Sequence, residues 1–385
     1  MKPPPIMKRY RPPTMADVRA GEAKALFTVV STFAGTGGSS TGYRLAGGHI
    51  LAVNEFVQEA RDSYAINYPD CLIIPEDIRK LTGAGILDLI DLAPGELDLL
   101  DGSPPCASFS MSGKREKHWG KEKKYSETKQ RTDDLFFEFA RILKEVQPRA
   151  FVAENVYGLT VGKAAALLGD GQEDLFGESK DTILGVLEDC GYRVSAKVLT
   201  SKDYGVPQGR MRLIMIGARD DLGVRPTHPR ILTPRPYTLL EALGGLNQTD
   251  ADVAAAMVKP KYKVYEWMAK MAPGQSGSDV HPNGSYFNLV RLSWDSPVGT
   301  VCQSHGAPGI ACSHIHPDEM RKLSIPELKR VSSFPDDFVL TGTFEQQWER
   351  IGRAVPPLMM KAIAEHVYST ILSKEADDDD NSERG

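Results

Sequence analysis

The sequence predicts an α/β fold with a mostly parallel β-sheet, joined to a smaller, loop-rich second domain. Between Leu26 and Gly217, short apolar runs that indicate buried strands alternate with stretches of helical character. This alternation is typical of βαβ units. Beyond Gly217 the periodicity weakens, and residues 220–290 are rich in Pro, Gly, His and Asn. A chain of 385 residues is long enough to bury a core in each domain.

The individual strands and helices follow from the same pattern. Helices are predicted at residues 58–67, 134–145, 181–190, 325–334 and 344–373. Strands are predicted for six apolar runs: LFTVVSTF, HILAVNEF, LDLLDGS, AFVAENV, RVSAKVLT and RLIMIGA. In parallel sheets ligands bind beyond the carboxyl ends of the strands, so the loops after these strands are expected to carry the chemistry.

Composition divides the chain into five predicted segments. The first 24 residues contain five prolines and no apolar period, whereas residues 374–385 are strongly acidic. The segments are a flexible arm (1–24), a catalytic domain (25–219), a second domain (220–341), a C-terminal helix that returns to the catalytic domain (342–373) and a disordered acidic tail (374–385).

The net charge of −5 is unevenly distributed. Residues 374–385 hold six acidic and two basic side chains, which places −4 in the tail. Residues 114–131 hold eight basic and three acidic side chains, a local charge of +5. A charge run is usually a solvated surface, but a basic run also attracts phosphates.

The cysteine pattern and the hydropathy indicate the cellular compartment. The five cysteines include no CxxC pair, which argues against a disulfide framework and against a structural zinc site, so no metal is predicted. No apolar run approaches the roughly 20 residues of a membrane span, and no signal peptide is recognisable. We therefore expect a cytoplasmic protein without membrane contact.

A glycine-rich loop follows the first predicted strand. Residues 33–38 read Phe-Ala-Gly-Thr-Gly-Gly and expose amides at a helix start, although a tight strand–helix turn explains the glycines equally well. Glu55 lies 22 residues after Phe33, and Asp77 lies a further 22 residues on. Glu55 is placed to accept ribose hydroxyls, and Asp77 to accept a hydrogen bond from an adenine amino group. The spacing favours a nucleoside-containing cofactor over two unrelated helix caps.

A cysteine stands behind two prolines after the strand that ends near Asp101. Residues 101–106 read Asp-Gly-Ser-Pro-Pro-Cys, and the prolines fix the direction of the thiol. A lone cysteine is usually a small buried hydrophobe. Cations in the basic run that follows would instead activate Cys106 as a nucleophilic thiolate.

Charged residues also stand near the ends of later strands. Glu154 lies at the end of AFVAENV, where a partly desolvated carboxyl group can carry a proton; a helix-capping acid is the alternative. Arg210 and Arg212 are predicted to share one face of the next strand and to clamp a phosphate or a base oxygen. A surface ion pair explains these arginines equally well.

Six ordered segments resemble motifs of the cytosine-C5 DNA methyltransferase family, collinear from Val29 to about Ala364. These are FAGTGG, DGSPPCASFS, AENV, KDYGVPQGRMRLIMIG, SIPELKRVSSFPDDF and IGRAVPP. The resemblance implies a Rossmann-like, S-adenosylmethionine-dependent domain and a target-recognition domain over residues 220–341. It also implies a monomeric prokaryotic or phage enzyme that acts on double-stranded DNA, with a separate restriction endonuclease as a possible companion.

The resemblance assigns roles by position. The residues around the target base are Cys106, Glu154, Arg210 and Arg212. The cofactor pocket comprises Phe33, Ala34, Gly35, Thr36, Gly37, Gly38, Glu55, Phe56, Asp77, Ile78, Ser103, Pro105, Leu135, Arg353 and Ala354.

The implied chemistry explains these residue types. Carbon 5 of cytosine is a poor nucleophile. Attack of the Cys106 thiolate on carbon 6, with Glu154 holding or protonating N3, makes carbon 5 electron-rich enough to take a methyl group. Loss of the carbon-5 proton then expels Cys106. The target atom is inaccessible inside the duplex, so the base must be flipped out at a cost of a few kcal/mol.

Two positions depart from the family pattern. Ala107 follows Cys106 where the family usually has Gln. Arg353 stands in IGRAVPP where the family usually has Asn, and a cation near a sulfonium cofactor needs a compensating anion. One alternative is therefore carboxy-S-adenosylmethionine as the cofactor, which would yield 5-carboxymethylcytosine. The other is an outward turn of Arg353 toward an acid or a DNA phosphate.

Three further alternatives remain at this level: a tRNA cytosine methyltransferase on the same scaffold, a non-catalytic binding module, and an unrelated NAD enzyme. The intact Cys106, Glu154 and Arg210 argue against the binding module, and the Pro-Pro-Cys turn argues against the NAD enzyme. The recognised DNA sequence is not encoded in any readable pattern.

Overall fold

The computed structural model describes the main part of the chain: residues 10–104, 134–160 (backbone only at 158 and 159), 182–262, 264–286, 288–303 and 314–373, with the backbone of 123–125 and 128–130. Cys106, Pro105 and most of the basic run 114–131 lie outside the described residues, as does the predicted acidic tail. None of the described helices has the length and hydropathy that crossing a membrane requires.

The chain forms two compact units. One comprises residues 19–199, 211–230 and 360–385, and the other residues 1–18, 200–210 and 231–359. The division differs from the predicted boundary at 219/220, because residues 220–230 group with the first of these units and residues 200–210 with the second.

The first unit is built on a mixed sheet with the strand order β3-β2-β1-β4-β7-β9-β8. Its strands are β1 Phe27–Thr32, β2 Gly48–Asn54, β3 Leu72–Ile74, β4 Leu99–Gly102, β7 Ala150–Val156, β8 Tyr192–Thr200 and β9 Met211–Arg219. A separate antiparallel pair consists of β5 Lys123–Tyr125 and β6 Thr128–Gln130. All six predicted strands are therefore confirmed, whereas the three-residue β3 was not predicted, because its apolar run is too short to give a period.

The sheet is mostly parallel, as predicted. Strand β1 pairs in parallel with β2 and β4, and β4 pairs in parallel with β7. Strand β9 pairs antiparallel with β7. The chain leaves β1 on one side and reaches β4 on the other, which makes the β1–β4 junction the switch point where doubly wound sheets bind ligands.

Helices of this unit pack on the sheet. They are α2 Gly38–Leu45, α3 Gln58–Asn67, α4 Gly83–Leu89, α5 Leu135–Val146 and α6 Ile183–Glu188. Helix α5 shows why the sequence pattern works: its apolar positions Leu135, Phe139, Ile142 and Leu143 follow a helical repeat and are fully buried. They form one core with Val30 and other strand residues.

The second unit contains short helices with polar caps: α7 Leu239–Leu243, α8 Asp250–Ala256, α9 Val264–Lys270, α10 Gly277–Val280, α11 Ile325–Val331 and α12 Phe344–Arg353. Five of these start with a reciprocal capping box, as at Ser324 and Glu327, which supplies partners for the first amides of helices too short to be stable alone.

Two predictions for the chain ends are wrong in part. Helix α1 (Met15–Glu22) lies inside the predicted flexible arm, and it begins where Thr14 and Asp17 exchange hydrogen bonds. The predicted C-terminal helix 342–373 is two helices, α12 and α13 (Pro357–Thr370). The break falls at the Pro356–Pro357 pair, because proline cannot continue a preceding helix.

Candidate active site at the carboxyl edge of the sheet

The turn after β1 adopts a backbone that glycine favours. Phe33, Gly35 and Gly37 have positive φ angles of 55°, 56° and 98°. A Cβ atom on Gly37 would come within 3.0 Å of the Tyr64 ring, so the turn packs tightly there. A Cβ atom on Gly35 would meet no described atom within 4 Å, which marks open space beside the turn. Tight packing therefore explains Gly37, whereas Gly35 borders open space.

Glu55 joins this turn to the next helix. Its Oε2 atom accepts a hydrogen bond from the Gly35 amide at 2.7 Å, and its Oε1 atom accepts one from the Val57 amide, also at 2.7 Å. Glu55 is thus fixed beside the open space at Gly35 by two backbone amides.

Thr36 tests whether a polar cofactor fits this turn. The residue is 3% exposed, and its Oγ1 atom is buried without a hydrogen-bond partner among the described residues. A buried hydroxyl normally has a partner, since leaving it unpaired costs about 1–3 kcal/mol. An unpaired hydroxyl next to open space and a preorganised acid fits a polar, hydroxyl-bearing ligand.

The other residues that the resemblance assigns to the cofactor pocket differ in their surroundings. Asp77 caps the turn 78–80 and pairs with the Arg79 guanidinium at 2.9 Å, so its carboxylate already has a cation partner. Ile78 and Leu135 are buried in the core. Ala34 is buried, and Phe33, Phe56 and Ser103 are partly exposed. Pro105 lies outside the described residues.

Glu154 and Arg212 form an ion pair at the carboxyl edge. The Arg212 Nε atom lies 2.5 Å from Glu154 Oε1, and both side chains are nearly buried. The register explains the contact: Val156 of β7 is opposite Arg212 of β9, and Glu154 lies two residues from Val156 on the same face. Glu154 and Arg212, which the resemblance assigns to the surroundings of the target base, therefore lie in contact.

Arg210 lies elsewhere, which corrects the prediction that both arginines share one strand face. Strand β9 begins at Met211, so Arg210 precedes the alternation on which the prediction depended. Its guanidinium is buried and donates to the carbonyl oxygens of Val301, Gly352 and Arg353 at 2.9–3.0 Å. Arg210 thereby satisfies carbonyls at the end of α12, a structural use of its five donors.

Arg353 has an acidic neighbour on its own helix. Its Nη2 atom lies 2.6 Å from Glu349 Oε1, one helical turn earlier. Ala354 is the residue that ends α12. The chain itself therefore supplies an anion for this cation, in agreement with the outward-pairing alternative.

Asp101 is a site residue that the sequence reasoning missed. It is 1% exposed, and its carboxyl oxygens accept hydrogen bonds from Ser31 Oγ at 2.6 Å and from the Tyr43 hydroxyl at 3.0 Å. Burial, with a smaller contribution from Glu154, raises the pKa of Asp101 to about 7. The available signal was an acid inside the apolar run LDLLDGS, where a buried strand otherwise has no charge.

Comparison with known proteins identifies the family of the chain. The profile of the family described as C-5 cytosine-specific DNA methylase matches residues 27–369. Type II methyltransferase M1.HphI of Haemophilus parahaemolyticus is 31% identical over 350 residues, covering 88% of this chain and 86% of that protein. Type II methyltransferase M.PspPI of Psychrobacter sp. is 32% identical over 370 residues, covering 90% and 80%.

Solved structures share the fold. A candidate DNA modification methyltransferase encoded within an E. coli prophage has a TM-score of 0.67 at 21% identity, covering 90% of this chain and 99% of that one. DNMT2 from Spodoptera frugiperda has a TM-score of 0.62 at 16% identity, covering 89% and 99%. At these identities the likeness concerns the fold alone.

Proposed function

Because the chain belongs to the C-5 cytosine-specific DNA methylase family, we propose that it methylates carbon 5 of cytosine in double-stranded DNA with Cys106 as the covalent nucleophile. The observation that carries the proposal is the Glu154–Arg212 ion pair at the carboxyl edge of the sheet. It places a carboxyl group and a guanidinium on the strand end where a flipped base has to be bound.

Each residue has a distinct task in this proposal. The Cys106 thiolate attacks carbon 6 of the flipped cytosine and leaves when the carbon-5 proton is lost. Glu154 holds the proton at N3 of the base during the attack, so that the ring accepts the electron pair. Arg212 orients the Glu154 carboxyl group through the 2.5 Å contact. Arg210 supports the end of α12 through the carbonyl oxygens of Gly352 and Arg353, and it also donates to the carbonyl oxygen of Val301.

The cofactor of the family is S-adenosylmethionine, which supplies an electrophilic methyl carbon when bound. The turn after β1 fits such a group, since it combines open space at Gly35, the unpaired hydroxyl of Thr36 and the fixed carboxylate of Glu55. We propose that Glu55 accepts the ribose hydroxyls and that the amides of the turn face the amino-acid portion.

Covalent trapping tests the proposal directly. The protein is incubated with S-adenosylmethionine and a duplex that carries 5-fluorocytosine at the modified position, and the adduct is resolved on a denaturing gel. The unaltered protein is expected to form the adduct, and Cys106→Ser is expected to form none. Cys302→Ser, which changes an exposed thiol, is the matched control and should trap normally. Adduct formation by Cys106→Ser at the normal rate would overturn the assignment.

The carboxymethyl alternative receives no support from the site. It was motivated by an uncompensated cation at Arg353, and Glu349 provides that compensation. Incubation of the protein and DNA with either S-adenosylmethionine or carboxy-S-adenosylmethionine, followed by mass analysis of the nucleosides, decides between the products. We expect 5-methylcytosine only.

The substrate and the biological role follow from the same kinship. We propose DNA rather than tRNA as the substrate, and labelled methyl uptake on each nucleic acid tests this choice. We propose a monomeric enzyme whose modification protects DNA from a separate restriction endonuclease; the similarity to Type II methyltransferases supports the protective role. Bisulfite sequencing of DNA from cells that express the protein would identify the recognised sequence.

A further inference from the structure

The turn that follows β3 lies beside the loops that follow β2 and β1. The strand order β3-β2-β1 places Asp77, Glu55 and the glycine turn in one row at the carboxyl edge of the sheet. The Asn54 side-chain amide joins the first two loops, since it donates to the carbonyl oxygens of Ile74 at 3.0 Å and Glu76 at 2.8 Å. With the ribose at Glu55 and the amino-acid portion at the glycine turn, as proposed, the base of the cofactor extends toward Asp77.

Arg79 bridges two acids from different elements. Its Nη1 atom lies 2.9 Å from Asp77 Oδ2 and 3.1 Å from Asp77 Oδ1, and the Arg79 amide donates to Oδ1 at 3.1 Å. On the other side, its Nε and Nη2 atoms donate to the two carboxylate oxygens of Asp134 at 3.0 and 2.5 Å. A lone exposed ion pair restrains little, but a guanidinium that holds one carboxylate through two parallel hydrogen bonds and also pairs with a second acid restrains both side chains. The Asp77 carboxylate is therefore held in one orientation.

Asp134 immediately precedes α5, yet its side chain does not cap the helix. An aspartate at this position usually accepts a hydrogen bond from one of the first helical amides. Asp134 makes no such capping bond, and both of its carboxylate oxygens accept from Arg79. This acid therefore attaches the start of α5 to the turn after β3 instead of stabilising the helix end.

Two further contacts attach α5 to the segment after β3. Arg141 Nη2 donates to the carbonyl oxygen of Ile78 at 3.0 Å, and Glu145 Oε2 accepts a hydrogen bond from the Gly83 amide at 2.5 Å. Ile78 and Leu135, which the resemblance assigns to the cofactor pocket, lie in one buried cluster. Helix α5 is thus a fixed support for the turn that carries Asp77.

We propose that Arg79 is a positioning residue for the adenine base of the cofactor: by bridging Asp134 and Asp77, it fixes the carboxylate that accepts a hydrogen bond from the adenine amino group. Arg79 acts through Asp77 and not on the base. The inference rests on the proposed function and on the expected pairing of Asp77 with adenine. It predicts that the preference for adenine over a base without the amino group depends on Arg79.

Two ligands that differ at one group test the inference. S-adenosylhomocysteine carries the amino group, and S-inosylhomocysteine carries a carbonyl oxygen in its place. The affinity of the full-length protein for each ligand is measured by calorimetry. We expect the unaltered protein to bind the adenosyl ligand at least about tenfold more tightly, because the inosyl ligand cannot donate a hydrogen bond from this position to the carboxylate.

Arg79→Lys keeps the positive charge but cannot join two carboxylates through a planar fork. We expect its affinity for the adenosyl ligand to fall by about five- to tenfold and its affinity for the inosyl ligand to stay within about twofold, so that the preference nearly disappears. General damage to the pocket would instead weaken the binding of both ligands by the same factor. Arg149→Lys, which makes the same change in the ion pair with Asp98, is the matched control and should keep the normal preference.

Asp134→Asn removes the anchor of Arg79 and leaves the contact between Arg79 and Asp77. We expect the preference for the adenosyl ligand to fall by about threefold, since the guanidinium is then held from one side only. In the Arg79→Lys background the same change should have no further effect, because both substitutions break one bridge. If Arg79→Lys does not fold, a normal preference in Asp134→Asn refutes the inference.

The outcomes separate this inference from the proposed function. Equal binding of the two ligands by the unaltered protein, or a normal preference in folded Arg79→Lys, would refute the role of Arg79. Adduct formation with the 5-fluorocytosine duplex would leave the proposed function intact in either case. If no adduct forms, the proposed function fails, and the preference between the two ligands still decides the role of Arg79.

Discussion

The two ends of strand β4 carry acids with opposite surroundings. At the amino end, Asp98 accepts hydrogen bonds from the Thr28 amide at 2.8 Å and the Thr28 hydroxyl at 3.1 Å, and pairs with Arg149 at 2.9 Å. At the carboxyl end, the partners of Asp101 among the described residues are two hydroxyl groups, and Asp101 is more deeply buried. Asp101 thus lies three positions after Asp98 but has no cation partner in the described part of the chain.

We call the amino end of β4, beside Asp98, the supporting end of the sheet and the carboxyl end, at Asp101, the reactive end. An ion pair with backbone hydrogen bonds stabilises the fold, because charge and lone pairs are both satisfied. A buried carboxyl group without a cation has a destabilised ionised form, and groups of this kind are common at functional sites. The unpaired Thr36 hydroxyl lies after β1, the parallel neighbour of β4, and so belongs to the same reactive end.

Substitution of Glu154, the acid that pairs with Arg212, is expected to have the largest effect on the methyl-transfer rate. Glu154→Gln should lower the methyl-transfer rate by about 10²–10⁴-fold, the usual range for a general acid, because the amide cannot share a proton with N3. Binding of an unmodified duplex, measured by fluorescence anisotropy, should change little. A rate within a few-fold of normal would remove Glu154 from the chemistry.

The contribution of Asp101 to the free energy of unfolding should fall as the pH rises, which is the opposite of the usual behaviour of an acid. Its pKa is raised in the folded state to about 7, so the folded protein holds this proton more tightly than the unfolded chain does. Stability from this group is therefore present at low pH and is lost as the pH rises from about 4 to about 7. Asp101→Asn avoids that loss, and its free energy of unfolding at pH 8 should exceed the normal value by about 2–4 kcal/mol.

Urea unfolding at pH 5 and pH 8 measures this difference. The excess stability of Asp101→Asn should shrink toward pH 5. A variant that is less stable than the unaltered protein at both values would show that the hydrogen bonds of Asp101, rather than its charge, dominate.

Substitution of Asp98, the acid at the supporting end, should lower stability and leave the methyl-transfer rate nearly unchanged. Asp98→Asn breaks the ion pair with Arg149, and we expect the free energy of unfolding to fall by about 1–3 kcal/mol. The methyl-transfer rate of the folded variant should stay within about twofold of normal. A large loss of activity without a loss of stability would break the distinction between the two ends.

Thr36 should give the smallest effect. Thr36→Val removes a buried hydroxyl that has no protein partner among the described residues, so the free energy of unfolding without cofactor should not fall. Affinity for S-adenosylmethionine, measured by calorimetry, should fall by about 3–10-fold, the value of one hydrogen bond. Thr36→Ser keeps the hydroxyl and should bind normally.

The pattern of the sequence predicted several residues of the candidate site. Glu55 and Glu154 were predicted from their places at strand ends, and the structure brings Glu55 to the glycine turn and Glu154 to Arg212. Arg210 was misplaced because the start of β9 falls one residue after it, and alternation holds only within a strand. The split of the C-terminal helix was missed although Pro356 and Pro357 mark it, because the apolar period resumes on the far side.

Residue order alone determined the α/β class, the family and the acids at the strand ends, since buried strands need apolar runs and the ligand-binding edge lies where those runs stop. Tertiary structure alone decided which polar groups meet. The partners of Asp101 are 70 and 58 residues away in the chain, at Ser31 and Tyr43. Only strand register and helix packing bring such groups together, and only burial converts their proximity into a proton equilibrium near neutral pH.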